Sequence, residues 1–147
     1  MNLSREKSVM KKLMVFAIGL VVGMGLFAMP HNLIQKTPCT ALEDTGTMAG
    51  PFHGTGPVDG VLLIVGDRVL VTSNATNDVW NGIWEVGNDP EHTWIRPRDF
   101  EAGSAAHAAF TIITQGETYH DTRWICTSTP GHDIVGLDAL IWSESNN

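Results

Sequence analysis

The residues of this chain whose types could do chemistry are its six histidines, its two cysteines and a scatter of carboxylates. The histidines are His31, His53, His92, His107, His120 and His132, and none stands at His-x-x-x-His spacing. A zinc-type site would therefore need three of them to converge from separate loops, and exposed loop histidines are the expectation. His120-Asp121 and His132-Asp133 set a base beside a carboxylate, but adjacent residues on a strand point to opposite faces. Asp89 and Glu91 fall in a turn, where solvation accounts for them better than acid–base catalysis. There is no Gly-x-Ser-x-Gly elbow, phosphate-binding loop or dinucleotide fingerprint. The sequence predicts no catalytic residue, no metal ligand, no cofactor and no enzyme.

Cys39 and Cys126 belong to no Cys-x-x-Cys pair. Cys126 lies in Trp124-Ile125-Cys126-Thr127, a strand-like stretch where a thiol packs as a small hydrophobe. Two buried free thiols are favoured over a Cys39–Cys126 bridge.

The elements that must position these groups read mostly as strands. Apolar runs at Val61–Val65, Arg68–Thr72, Gly82–Val86, Thr93–Ile95, Ala108–Thr114, Arg123–Thr127 and Ala139–Trp142 are separated by Gly, Pro, Asn and Asp. Asn81-Gly82 is the strongest short hairpin signal. Only Asp99–Ala109 has room for a helical turn, and no internal repeat is visible. The pattern predicts a mainly β, compact antiparallel barrel or sandwich-like module over residues 36–147. Trp84, Trp94, Phe100, Trp124 and Trp142 are its candidate core. For Arg96, Arg98 and Asp99 the expectation is pairing within the fold, an arginine stacked on a tryptophan in particular.

Charge divides the chain. Residues 1–12 carry Arg5, Lys7, Lys11 and Lys12 against Glu6, and no charge follows until Lys36. Beyond Gln35 stand five of the nine basic residues and 15 of the 16 acidic ones, so the module repels phosphate backbones and no nucleic-acid partner is expected. Leu13–Met29 is unbroken apolar sequence, predicted as a helix that Pro30 ends. Residues 1–35 thus read as a basic flank and an apolar helix, with three readings open. It is a signal peptide with a poor cleavage site at Ala28, an uncleaved membrane anchor, or an assembly helix buried against copies of itself. Gly19, Gly23 and Gly25 give the last reading its close-packing face.

The order of the motifs carries a resemblance. Lys36-Thr-Pro-Cys-Thr-Ala41, Val58-Asp-Gly60, Gly66-Asp-Arg-Val-Leu-Val71 and Asn81-Gly-Ile-Trp84 are followed by Trp94-Ile-Arg96 and Arg98-Asp-Phe100. Asp121-Thr-Arg-Trp124, Ile134-Val-Gly136 and Leu140-Ile-Trp142 complete the series, over about three-quarters of the chain. Taken together, the series resembles a small β module of tailed-phage tail fibres, tailspikes and other virion surface proteins. The chain departs from it at Cys39 and Cys126, where aliphatic residues are expected, and in a longer Gly46–Pro57 loop.

The resemblance implies a virion structural protein, whether tail fibre, appendage or capsid-surface component, that serves assembly and display. Its expected partners are other virion proteins, further copies of itself and a host-surface glycan, with a membrane reached through Leu13–Met29. The alternative is a carbohydrate-binding module on a membrane-anchored or secreted bacterial protein. Aromatic rings exposed in one row favour the alternative, because sugars stack on flat rings. Buried rings favour the virion reading.

Overall fold

The computed structural model describes residues 32–48, 50–73 and 78–146. The expected apolar helix and Gly19, Gly23 and Gly25 lie outside the described residues. Asn32–Asn147 forms one compact unit, so the module begins before the expected boundary at Lys36.

Ten short strands build it: β1 (Ile34–Gln35), β2 (Ala41–Glu43), β3 (Pro57–Val58), β4 (Val61–Leu62), β5 (Arg68–Val71), β6 (Gly82–Val86), β7 (Trp94–Ile95), β8 (Ala109–Ile112), β9 (Arg123–Cys126) and β10 (Trp142–Glu144). Two 3-10 turns, Asp78–Trp80 and Arg98–Phe100, are the helical elements among the described residues. The second accounts for only the first two residues of the span with room for a helical turn. The strands form sheets of order β1-β8-β9-β10 and β2-β5-β6-β7, with β3 and β4 as a separate pair.

The mainly β expectation holds, but its finer form is corrected twice. No sheet closes into a barrel among the described residues. Nor is the pairing antiparallel throughout, because β1 runs parallel to β8 and β2 parallel to β5. The cause is that the entering segment from Ile34 to Glu43 adds an edge to each sheet. Its β1 end bonds Ala108 and Phe110, its Cys39 bridges Ile113, and its β2 end lies in register with Val69–Val71.

The β2-β5-β6-β7 sheet is buried on both faces, and period-2 alternation sorts its side chains. Leu42, Leu70 and Ile83 point into a core shared with Ala109, Trp124, Cys126 and Trp142 of the other large sheet. Ala41, Val69, Val71, Trp84, Val86 and Trp94 point the opposite way, under Phe52, Val58 and Leu63. Two buried faces explain why Val69-Leu70-Val71 is continuously apolar. In the other sheet one face is buried, so Trp124 and Cys126 go inward while Arg123 lies outside over Phe110, 5.4 Å from its ring centre.

Two local expectations fail. Val61–Val65 is not a core strand: only Leu63 is buried, while Leu62 and Ile64 are 73% and 66% exposed. The Asp67 carboxylate accepts the Ile64 amide at 2.8 Å and bends the run into a turn after two paired residues. Asn81-Gly82 is not a hairpin turn either. Asn81 is buried and donates to the Leu140 carbonyl at 3.1 Å, and Gly82 opens β6 at φ 115°. A Cβ at Gly82 would stand 2.6 Å from the Phe100 ring and 3.0 Å from Arg96 Nη1. This glycine therefore serves close packing as well as backbone freedom.

Arg96 fills that space. Its guanidinium lies 3.8 Å from the Trp84 ring centre and donates to the carbonyls of Val79, Trp80, Asn81 and Ile83 at 3.0–3.3 Å. The expected stacking of an arginine on a tryptophan is thus present, at Arg96. Arg96→Met should lower stability by about 3 kcal/mol or more, because charge-assisted bonds are lost and buried carbonyls are left unpaired. Arg96→Lys should recover less than half, since an ammonium cannot span the four acceptors. Urea unfolding followed by tryptophan fluorescence measures both, and a loss below about 1 kcal/mol for Met would contradict this account.

Candidate functional site

Trp84, Trp94, Trp124 and Trp142 are 8, 4, 9 and 7% exposed, and Phe100 is fully buried. Trp84 and Trp94 meet Phe52 at ring-centre distances of 5.3 and 5.2 Å, and Phe100 meets Trp142 at 5.9 Å. Trp80, which the sequence reading passed over, stacks on Trp84 at 5.5 Å and accepts the Trp84 indole N–H through its carbonyl. These rings form no exposed row.

Cys39 and Cys126 are free and buried. Burial pushes the Cys39 thiol up to about 11, against the lowering effects of Thr111 and Arg68 beside it, and burial likewise raises Cys126. Neither thiol is poised as a nucleophile.

The histidines do not converge. His92, His107 and His120 each turn Nδ1 to a carbonyl, of Gly87, Ser128 and Gly116 respectively. His53 and His132 are exposed, and His31 lies outside the described residues. No group of three metal-ligating side chains occurs among the described residues. His107, Ser128 and Asp133 do come together, but through the main chain. His107 bonds the Ser128 carbonyl, Asp133 accepts the His107 amide at 2.8 Å, and the Ser128 hydroxyl accepts the Ile141 amide at 2.9 Å. That arrangement fastens loops and does not activate a hydroxyl.

A polar cleft of about 440 Å³ is lined by Thr37, Arg68, Glu85, Pro97, Arg98 and Asp99. The Gly66-Asp67 turn delivers Arg68 to the start of β5, with Asp67 held by the Ile64 amide and the Thr40 hydroxyl. Arg68 lies opposite Glu85 in register, yet its guanidinium turns to Asp99, at 2.8 Å from Nη1 and 3.2 Å from Nη2. The Thr37 amide gives Asp99 a further bond at 3.0 Å, and Lys36 Nζ donates to the Asp99 carbonyl at 2.6 Å. Partial burial works to raise the Asp99 carboxyl, but Arg68 and Thr37 outweigh it and hold it below the ordinary range. Arg96, Arg98 and Asp99 thus part company: Arg96 is structural, Asp99 anchors the cleft floor, and Arg98 is exposed at its rim.

No protein-family model, curated protein or solved structure matches the chain. No helix among the described residues is long and apolar enough to cross a membrane.

Acid should weaken the module through Asp99 and Asp133. Burial would raise Asp133, but the amides of His107, Gly131 and Ala106 together hold it lower. Folded-state values below the unfolded ones give stability that is complete above about pH 4 and is lost as pH falls through the folded values. Asp133→Asn should cost about 1–3 kcal/mol at neutral pH. The gap between it and the wild type, read as urea midpoints, should narrow below about pH 4. A constant gap down to about pH 2 would overturn the assignment.

Proposed function

We propose that the chain is a structural component of a virion surface, a tail fibre, appendage or capsid-surface protein, whose β module serves assembly and display and catalyses no reaction. The observation that carries this reading is the burial of Trp84, Trp94, Trp124 and Trp142, each under a tenth exposed. Rings committed to the interior stiffen a small module, whereas a sugar platform needs them on the surface. The disposition of the titratable groups also supports it. Asp59, Asp67, Asp89, Asp99 and Asp133 each hold backbone amides of turns. The partners under this reading are other virion proteins and further copies of the chain. The motif order set out above supplies the link to virions, and attachment through Leu13–Met29 belongs to the same proposal.

Quantitative mass spectrometry of purified particles tests it. The chain should appear at a fixed ratio to the major structural proteins and should stay with the particles through a density gradient. Recovery only from host membranes or culture supernatant, with none on particles, would sink the proposal in favour of a bacterial surface module.

A further inference from the structure

The cleft at Asp99 gathers the cations of an otherwise acidic module. Beyond Gln35 the basic residues are Lys36, Arg68, Arg96, Arg98 and Arg123. Arg96 is committed to carbonyls and Trp84, and Arg123 to Phe110 and the Ser145 hydroxyl. The other three meet at Asp99, where Arg68 and Lys36 are already engaged. Arg98 is exposed and forms no hydrogen bond or ion pair with any described residue. The half-buried Glu85 side chain likewise has no hydrogen bond or ion pair with any described residue, because its cross-strand neighbour Arg68 turns to Asp99 instead. Among the described residues, one cleft therefore presents a guanidinium and a carboxylate that are unengaged and do not pair with each other.

We infer that this cleft binds a carboxylate-bearing sugar, with Arg98 clamping the carboxylate and Glu85 accepting hydroxyl protons. A guanidinium presents a planar fork that matches a carboxylate. Glu85 would repel a second anionic group and rewards hydroxyl donors, which selects an acidic polyol over a bare dicarboxylate. Ile95, opposite Glu85 in register and half exposed, offers apolar surface for the C–H face of a ring. The floor is set beforehand, since Arg68, Thr37 and Lys36 all fasten the Asp99 segment, so binding orders little besides the Arg98 side chain. The volume suits one terminal sugar unit. This chemistry does not depend on which particle or surface carries the chain.

Titration of the full-length chain with D-glucuronate, D-glucose and a glutamate-rich peptide, followed calorimetrically and by amide NMR shifts, tests the inference. D-glucuronate should bind with a Kd of about 1 mM and move the Thr37 and Arg98 resonances, while D-glucose should not bind at about 20 mM. Arg98→Ala should weaken D-glucuronate by about tenfold or more, Arg98→Lys should recover part of that, and Glu85→Gln should narrow the preference for the sugar over the peptide. Arg98 is exposed and unpaired, so its loss leaves the fold intact, and Arg123→Ala should leave binding unchanged. Equal binding of D-glucose, a stronger response to the peptide, no D-glucuronate binding at about 20 mM, or an unchanged Kd in Arg98→Ala would each overturn it.

Discussion

The module hangs together on a cation held between two cores. Arg96 lies face-on to Trp84, which packs on one side of the β2-β5-β6-β7 sheet, and 5.8 Å from the ring centre of Phe100, which packs on the other. Burial pulls its guanidinium down to about 9, which leaves it charged at neutral pH. Desolvating that charge is tolerable because four carbonyls converge on it around the start of β6. Those carbonyls belong to the segment from Val79 to Ile83, which leaves a 3-10 turn and enters a strand. Their bonds to Arg96 supply partners that a regular ladder does not. Gly82 has no side chain because Phe100 and Arg96 occupy its place.

The carboxylates solve the corresponding problem at the loops. Strands of two to five residues leave much of the backbone without ladder partners. Aspartates take up the slack. Asp59 receives the amides of Thr118 and Tyr119 from about sixty residues away, Asp133 those of His107 and Gly131, and Asp138 that of Ile134. Gly116 makes room for Asp59, whose carboxylate oxygen would sit 2.2 Å from a Cβ there. Part of the acidity of the chain is thus the material of its turns, and it needs no cationic ligand to account for it.

Against that background the cleft beside Asp99 stands apart, because the Arg98 and Glu85 side chains fasten nothing among the described residues. An exposed guanidinium on a rigid floor is available for recognition in a way that the buried tryptophans and the thiols are not. The module thereby separates an interior of buried rings from a small polar surface.

Much of the fold was legible in the sequence, and the reasons are local. The strands at Arg68–Val71, Gly82–Val86 and Arg123–Cys126 follow from apolar runs bounded by turn residues. The inward rings at Trp84, Trp94, Trp124 and Trp142 follow from their size on those strands. What only the tertiary structure decided is where a local signal has a distant competitor. Val61–Val65 reads as a strand by composition, yet Asp67 turns it, and Asn81-Gly82 reads as a hairpin, yet Leu140 and Phe100 claim those two residues. The two parallel edges cannot be read from spacing, because parallel and antiparallel partners impose the same alternation. The cleft was hidden for a similar reason. Arg68 has an acid opposite it in register and another far along the chain, and only the folded geometry chose Asp99 and left the Glu85 and Arg98 side chains unclaimed among the described residues.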